Sequence, residues 1–226
     1  MMKIIGHRGA KGLAPENTAA SFEKAIDCGV DEIELDVRVS RDGVVVVQHD
    51  AELHDPAGNH LSVKGSDYAT LLAHKPDLMT FTAAMQLINR RVPVLIEVKP
   101  DVSTAPVIAE ITALQANGWL DADMLLGSFS QPILRELHQA LPTITKVVIE
   151  RWSGVRATWR ARQVNTKRLN MQQLWLWSGF IRAMQRNGYQ LAPYTLNDPH
   201  KARRWAKVGI YAVITDFPDR FQPKDH

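Results

Sequence analysis

Two things are nearly or wholly missing from this chain: cysteine and long apolar runs. Among 226 residues Cys28 is the only cysteine, which excludes an intrachain disulfide and a zinc site built from several thiolates. No stretch approaches the 18 apolar residues that would mark a membrane-spanning helix. The opening run from Met1 to Gly9 turns polar after Ile4 and Ile5. It lacks the apolar region of a secretory signal, so the expected compartment is the cytoplasm. Low-complexity tracts, linkers and a basic tail are missing too. The 27 Lys and Arg against 24 Asp and Glu leave a net charge of +3, spread out apart from mild clustering at Arg151–Arg168 and Lys201–Lys207. Such a balance favours anionic small molecules only slightly. Nucleic acid is not an expected partner without an interleaved basic and aromatic surface.

What is present suits one α/β domain spanning 1–226, with 45% hydrophobic and 23% charged residues. Apolar runs and helical periodicities alternate. Strands are expected at Lys3–Gly6, Asp31–Val39, Val44–Val47, Val92–Val98, Met124–Gly127, Ile144–Ile149, Arg168–Met171, Gln190–Tyr194 and Ala212–Ile214. Helical patterns separate most of them, including one that starts at Asn17 or Thr18 and ends near Gly29. The repeated βα unit implies parallel strands, and about eight of them imply a (β/α)8 TIM barrel. Residues 51–78 break the rhythm with His54, Asp55, Pro56, Gly58 and Asn59, and read as a small insertion or lid after the second strand. Arg151–Trp175 carries no clear pattern beyond its short strand.

The strand Asp31–Val39 poses the chemical question. Ile33, Leu35, Val37 and Val39 share one face, and Glu32, Glu34, Asp36 and Arg38 share the other. If Glu34 and Asp36 face inward, they repel and lose hydration unless a cation lies between them, and an all-oxygen donor set suits Mg²⁺ or Ca²⁺. If the strand is an edge, the same carboxylates simply meet water. Placement elsewhere favours the first reading. His7, Arg8, His49, Glu97, Lys99, Ser128 and Asp216 also lie at or just past the C-terminal ends of expected strands. In a parallel barrel those ends open on one face, where active sites are built.

Several stretches resemble the glycerophosphodiester phosphodiesterase family. They are Gly6-His7-Arg8-Gly9, Pro15-Glu16-Asn17-Thr18, Glu32 to Val37, Asp42-Gly43, His49-Asp50, Ile96-Glu97-Val98-Lys99, Ser128-Phe129, Tyr194 to Asn197, and Ile214 to Pro218. The resemblance spans residues 3 to about 220 and is most specific in the first 50. It implies hydrolysis of glycerophosphodiesters to sn-glycerol 3-phosphate and an alcohol. It also implies Glu34, Asp36 and Glu97 as ligands of a divalent cation, Mg²⁺ or Ca²⁺. Arg8 and Lys99 would bind the substrate phosphate, and His7 and His49 would form an acid–base pair, with His7 favoured as acid and His49 as base. His54, His60, His74, His138, His200 and His226 read as surface residues.

The chain departs from the family pattern at Leu53-His54-Asp55-Pro56-Ala57, at Met79 to Ala83, and at Tyr194 and Leu196; the first two changes bear on the alcohol side of the substrate rather than on the ligand set. Trp152, Trp159, Trp175 and Trp177 read either as core and rim packing or as an apolar wall for a lipid-like group. A lysophospholipase D on the same barrel is the second enzymatic reading, and a non-catalytic binding barrel the third.

Overall fold

The computed structural model describes residues 2–54, 58 and 60–221. In chain order its strands are β1 (Lys3–Gly6), β2 (Glu32–Val39), β3 (Val45–Val47), β4 (Glu52–His54), β5 (His60–Ser62), β6 (Val94–Val98), β7 (Met124–Ser128), β8 (Thr145–Glu150), β9 (Arg168–Gln172), β10 (Gln190–Tyr194) and β11 (Ala212–Thr215). The helices are α1 (Ala19–Asp27), α2 (Tyr68–His74), α3 (Phe81–Ile88), α4 (Thr104–Ala116), α5 (Gln131–Ala140), α6 (Gly154–Gln163), α7 (Ser178–Arg186) and α8 (Pro199–Ala206). Eight strands run parallel in the order β10-β9-β8-β7-β6-β2-β1-β11. Tyr211 N donates to Leu191 O (2.9 Å) and Leu196 N to Ile214 O (2.8 Å), drawing β10 and β11 together. The sheet is thus a nearly closed TIM barrel, as the sequence predicts.

The alternation in β2 decides its orientation. Ile33, Leu35 and Val37 pack outward with Phe22 of α1 and Phe81 of α3. The opposite face points into the barrel, so both faces are buried. An edge strand open to water is therefore excluded for β2. Lowest on the inward face, Glu32 accepts from Arg168 Nη2 at 2.8 Å across the interior, and Arg168 also meets the Tyr211 hydroxyl at 3.2 Å. This buried pair makes the floor beneath Glu34 and Asp36; it is paired, and so needs no cation.

One expected barrel strand is not in the barrel. Val45–Val47 forms β3, antiparallel to β2, with Val37 opposite Val47 and Val39 opposite Val45. The turn at Arg41-Asp42-Gly43, with Gly43 at φ 86°, folds the chain back on itself. His49 therefore arrives from a returning hairpin and not from the tip of a parallel strand. Gln48 N donates to Asp36 O at 3.0 Å, which sets His49 close to the level of the carboxylates.

Residues 51–78 carry the β4–β5 hairpin and α2, packed over a small core of Val46, Leu53, Val63, Leu71 and Leu78. Asp55, Pro56, Ala57 and Asn59 of that segment, and His226, lie outside the described residues. The stretch Arg151–Trp175 conceals a full helix, α6, capped by the Ser153 side chain accepting from Arg156 N. Its arginines hide the helical pattern, because Arg160 is buried and bonds to Ile149 O and Ser128 O instead of pointing to water. Ser128 itself is buried and donates to Val98 O at 2.7 Å; it joins β6 to β7 and is not a site residue. The four tryptophans sit on the surface, with Trp152 and Trp175 stacked edge to face at 5.6 Å. Core packing is excluded for them.

At the end of β8, Glu150 accepts from Arg156 Nε (2.7 Å) and from the backbone N–H groups of Arg151 (2.9 Å) and Trp152 (3.0 Å). Burial opposes its ionisation, but these donors outweigh burial and hold its pKa at about 2, against an ordinary 4.5. A depressed carboxyl pKa contributes stability that is present above about pH 4.5 and lost as pH falls toward 2. Glu150→Gln is therefore expected to lower Tm at neutral pH, with the gap to wild type closing over that interval. Tm measured against pH for both proteins checks this; a gap that persists at pH 2 refutes it.

Candidate active site

The barrel mouth encloses a cavity of about 470 Å³ lined by His7, Arg8, Glu34, Asp36, His49, Glu97 and Lys99, together with residues from the later strands. All seven expected site residues meet there. Each is brought by a distinct local device.

His7 and Arg8 follow β1 in a tight loop. Arg8 has φ 50° and Gly9 φ 84°. A side chain on Gly9 would strike Ser21, a Cβ placed there lying 2.4 Å from Ser21 Oγ, so only glycine lets the loop press onto α1. Thr18 caps α1, its hydroxyl accepting from Ser21 N. Arg8 N donates to Glu34 Oε2 at 2.9 Å. The Arg8 guanidinium donates to Glu16 Oε1 at 2.7 Å and lies 3.3 Å from Asp36 Oδ2. Arg8 Nε is a buried donor with no hydrogen-bond acceptor among the described atoms.

Glu34, Asp36 and Glu97 are buried, and a ligand oxygen of each lies within 4.8 Å of the others. The register pairs Asp36 directly with Glu97 across β2 and β6, which is why residues 61 apart in sequence converge. Lys99 Nζ lies 2.5 Å from both Asp36 Oδ1 and Glu97 Oε1. Burial opposes the charge of Lys99, yet the two carboxylates hold its pKa above the ordinary value. Burial likewise opposes ionisation of Asp36, and Lys99 and Arg8 overcome it and pull its pKa down. Glu34 is different. Burial, then Asp36 and Glu97, push its carboxyl well above the usual range. Glu97 is also raised, by burial and then by Asp36.

Charge counting explains the contrast. Three carboxylates face two cations, so full ionisation leaves one negative charge among buried groups, and Glu34 bears that cost. A divalent ion would turn the excess to one positive charge, which a monoanionic phosphodiester would balance. The buried all-oxygen donor set fits Mg²⁺ or Ca²⁺.

The imidazoles are held from behind. His7 Nδ1 lies 2.6 Å from Asp216 Oδ1. Asn197 Nδ2 donates to Asp216 Oδ2 at 2.8 Å, and its own oxygen accepts from Thr215 Oγ1 at 2.9 Å and from Asp216 N at 2.9 Å. His49 Nδ1 lies 2.7 Å from Asp50 Oδ1. Burial lowers the His49 pKa below the ordinary 6.5, against the pull of Asp36. With each Nδ1 engaged by a carboxylate, Nε2 is the ring atom available to a ligand.

Several supports are not evident from residue type alone. Asn17, which the sequence offers as a helix cap, is buried and donates to Asp36 Oδ2 at 3.0 Å. Arg38 donates to His49 O at 2.9 Å and to Asp101 Oδ1 at 2.7 Å, tying the β3 hairpin to the loop after β6. Asn170 lines the cavity, and its buried Oδ1 has no hydrogen-bond partner among the described residues. Arg38 could have been singled out from its place on the polar face of β2; Asn170 gives no signal.

Comparison with known proteins bears on the family and the fold. A glycerophosphodiester phosphodiesterase of Bacillus altitudinis is 27% identical over 236 residues, covering 97% of this chain and 96% of that one. A human lysophospholipase D is 33% identical over 114 residues, 49% of this chain and 36% of its own length. An Oleispira antarctica phosphodiesterase solved with its product sn-glycerol-3-phosphate shares the fold at TM-score 0.85 and 24% identity, over 97% of this chain and 95% of that one. The pattern of one family matches from residue 7 to residue 220, from the first catalytic candidate to the turn after the last strand. The chain therefore belongs to the glycerophosphoryl diester phosphodiesterase family.

Proposed function

We propose that the protein hydrolyses glycerophosphodiesters to sn-glycerol 3-phosphate and an alcohol, with a divalent cation held by Glu34, Asp36 and Glu97. The observation that carries this reading is the convergence of three buried carboxylates and two carboxylate-backed imidazoles on one cavity. When bound, Mg²⁺ or Ca²⁺ supplies charge withdrawal from a phosphate oxygen. Arg8 and Lys99 hold the remaining phosphate charge, and their own carboxylate contacts fix where their cations lie. His49, whose burial favours the neutral ring, takes the proton from the nucleophile, either water directly or the neighbouring glycerol hydroxyl, in which case water then opens the cyclic phosphate to glycerol 3-phosphate. His7, oriented by Asp216, delivers a proton to the departing alkoxide oxygen.

Chelation is expected to abolish release of glycerol 3-phosphate from glycerophosphocholine, and Mg²⁺ or Ca²⁺ added back should restore it. Turnover that survives exhaustive EDTA treatment refutes the metal role. A lysophospholipase D reading has one observation in its favour: exposed Leu174 lines the cavity beside the Trp175 and Trp152 pair, an apolar exit suited to an acyl chain. Rates on lysophosphatidylcholine against glycerophosphocholine decide between them. The non-catalytic barrel predicts no turnover of either substrate.

A further inference from the structure

Among the described residues, two groups of three carboxylate or imidazole side chains approach closely enough to share an ion. One is the carboxylate cluster at the barrel mouth. The other is Glu52, His54 and His60 on the β4–β5 hairpin, which plays no part in the proposed hydrolysis. We propose that this hairpin is a separate binding site for a transition-metal ion, Zn²⁺ above all.

The placement follows from strand geometry. Glu52 and His54 are two apart on β4 and so share a face. His60 on β5 is the direct antiparallel partner of His54, which brings its ring onto that face. Leu53, between the two ligands, points the other way into the small core with Val63 and Leu71. The ligand face is thus the solvent face, open to an arriving ion. The His54 and His60 rings sit edge to face at 4.4 Å, and His60 Nδ1 lies 3.3 Å from Glu52 Oε2. A tetrahedral ion with bonds of about 2.0–2.2 Å needs donors roughly 3.4 Å apart. The Glu52–His60 edge already has that length, and all three donors fall within 4.8 Å. Rotation about exposed side-chain bonds closes the remainder.

Donor chemistry separates the two groups. Two imidazoles and one carboxylate form the donor set that suits Zn²⁺ and its neighbours, with a fourth position left for water. Mg²⁺ and Ca²⁺ prefer oxygen and have little reason to leave the carboxylate cluster for nitrogen. The hairpin also gains from such an ion. Its strands are three residues each, and a two-stranded ribbon this short is marginal by itself. An ion bonded to both strands would fasten them where, among the described residues of β4 and β5, Leu53 alone is buried.

The test uses the full chain, stripped with EDTA and then saturated with Mg²⁺ to fill the carboxylate cluster. ZnCl₂ is titrated in by calorimetry, and Tm is recorded with and without zinc. One further equivalent of Zn²⁺ should bind and raise Tm. The exposed positions make His54→Ala/His60→Ala a mild change, and that variant should lose both the binding and the Tm rise. Glu52→Gln, milder still, should weaken zinc at least about 10-fold, the loss that follows when even a supporting partner of a metal ligand is removed. Zinc affinity unchanged in the double variant, or no zinc uptake once Mg²⁺ is present, overturns the proposal. The readout is binding, so its failure would leave the hydrolytic reading untouched.

Discussion

His49→Ala and His7→Ala are each expected to lower phosphodiester turnover at least about 10²-fold, the scale of positioned acid–base groups. Both act on protons in flight and not on the resting substrate, so the loss should fall on kcat with KM nearly unchanged. The two rings are not equivalent. Burial lowers the His49 pKa below 6.5, so the base stays neutral at a pH where an exposed histidine would be half protonated. The acid limb of the kcat/KM profile should therefore lie below pH 6.5. His7 works through its neighbours. Asp216→Asn keeps the shape of the Asp216 side chain but replaces the carboxylate 2.6 Å from His7 Nδ1, and should lower kcat while leaving metal affinity as it was. Purified His7→Ala or His49→Ala proteins with near-normal kcat would sink the assignment of this pair.

Much of this site could be read before any coordinates, and the reasons are local. Alternation in β2 separates a helix-facing side from a barrel-facing side, because a strand has a period of two. The motif Gly6-His7-Arg8-Gly9 places two of the site residues, although only the structure shows that a side chain on Gly9 would strike Ser21. What stayed hidden depends on partners distant in sequence. Glu32 and Glu34 are the same residue type on the same face. Only the position of Arg168, 136 residues away, makes the first a floor and leaves the second exposed to its neighbours' charge. The His7–Asp216 pair spans 209 residues and closes only when β1 and β11 adjoin. The β-branched run at Val45–Val47 gives no sign of its direction, since parallel and antiparallel strands share the same pattern; the Asp42-Gly43 turn is the feature that reverses it. The helix α6 is obscured because its buried face carries Arg160, an apolar position in pattern filled by a cation whose partners are two backbone carbonyls, the Gln131 side chain and the Glu150 carboxylate.

The Glu34→Gln variant should separate stability from function most sharply. Glutamine keeps the shape of Glu34 and an oxygen to accept from Arg8 N, now 2.9 Å from Oε2. It removes one negative charge from the cluster and one oxygen ligand suited to the cation. Turnover should fall at least about 10²-fold, and the rise in Tm on adding Mg²⁺ or Ca²⁺ should shrink or vanish. Metal-free stability should move the other way. The raised pKa of Glu34 means that the folded protein holds this proton more tightly than the unfolded chain does. That contribution is present at low pH and is lost as pH rises through the raised value, beyond which Glu34 is an ill-compensated buried charge. Glutamine has no such window. The metal-free variant should therefore melt higher than metal-free wild type at neutral pH, and the difference should grow as pH increases. Adding the cation should reverse the ranking, because wild type gains the ion's binding energy and the variant does not. If Glu34→Gln instead melts lower without metal and still hydrolyses substrate at a normal rate, the carboxylates are structural and the cation belongs elsewhere.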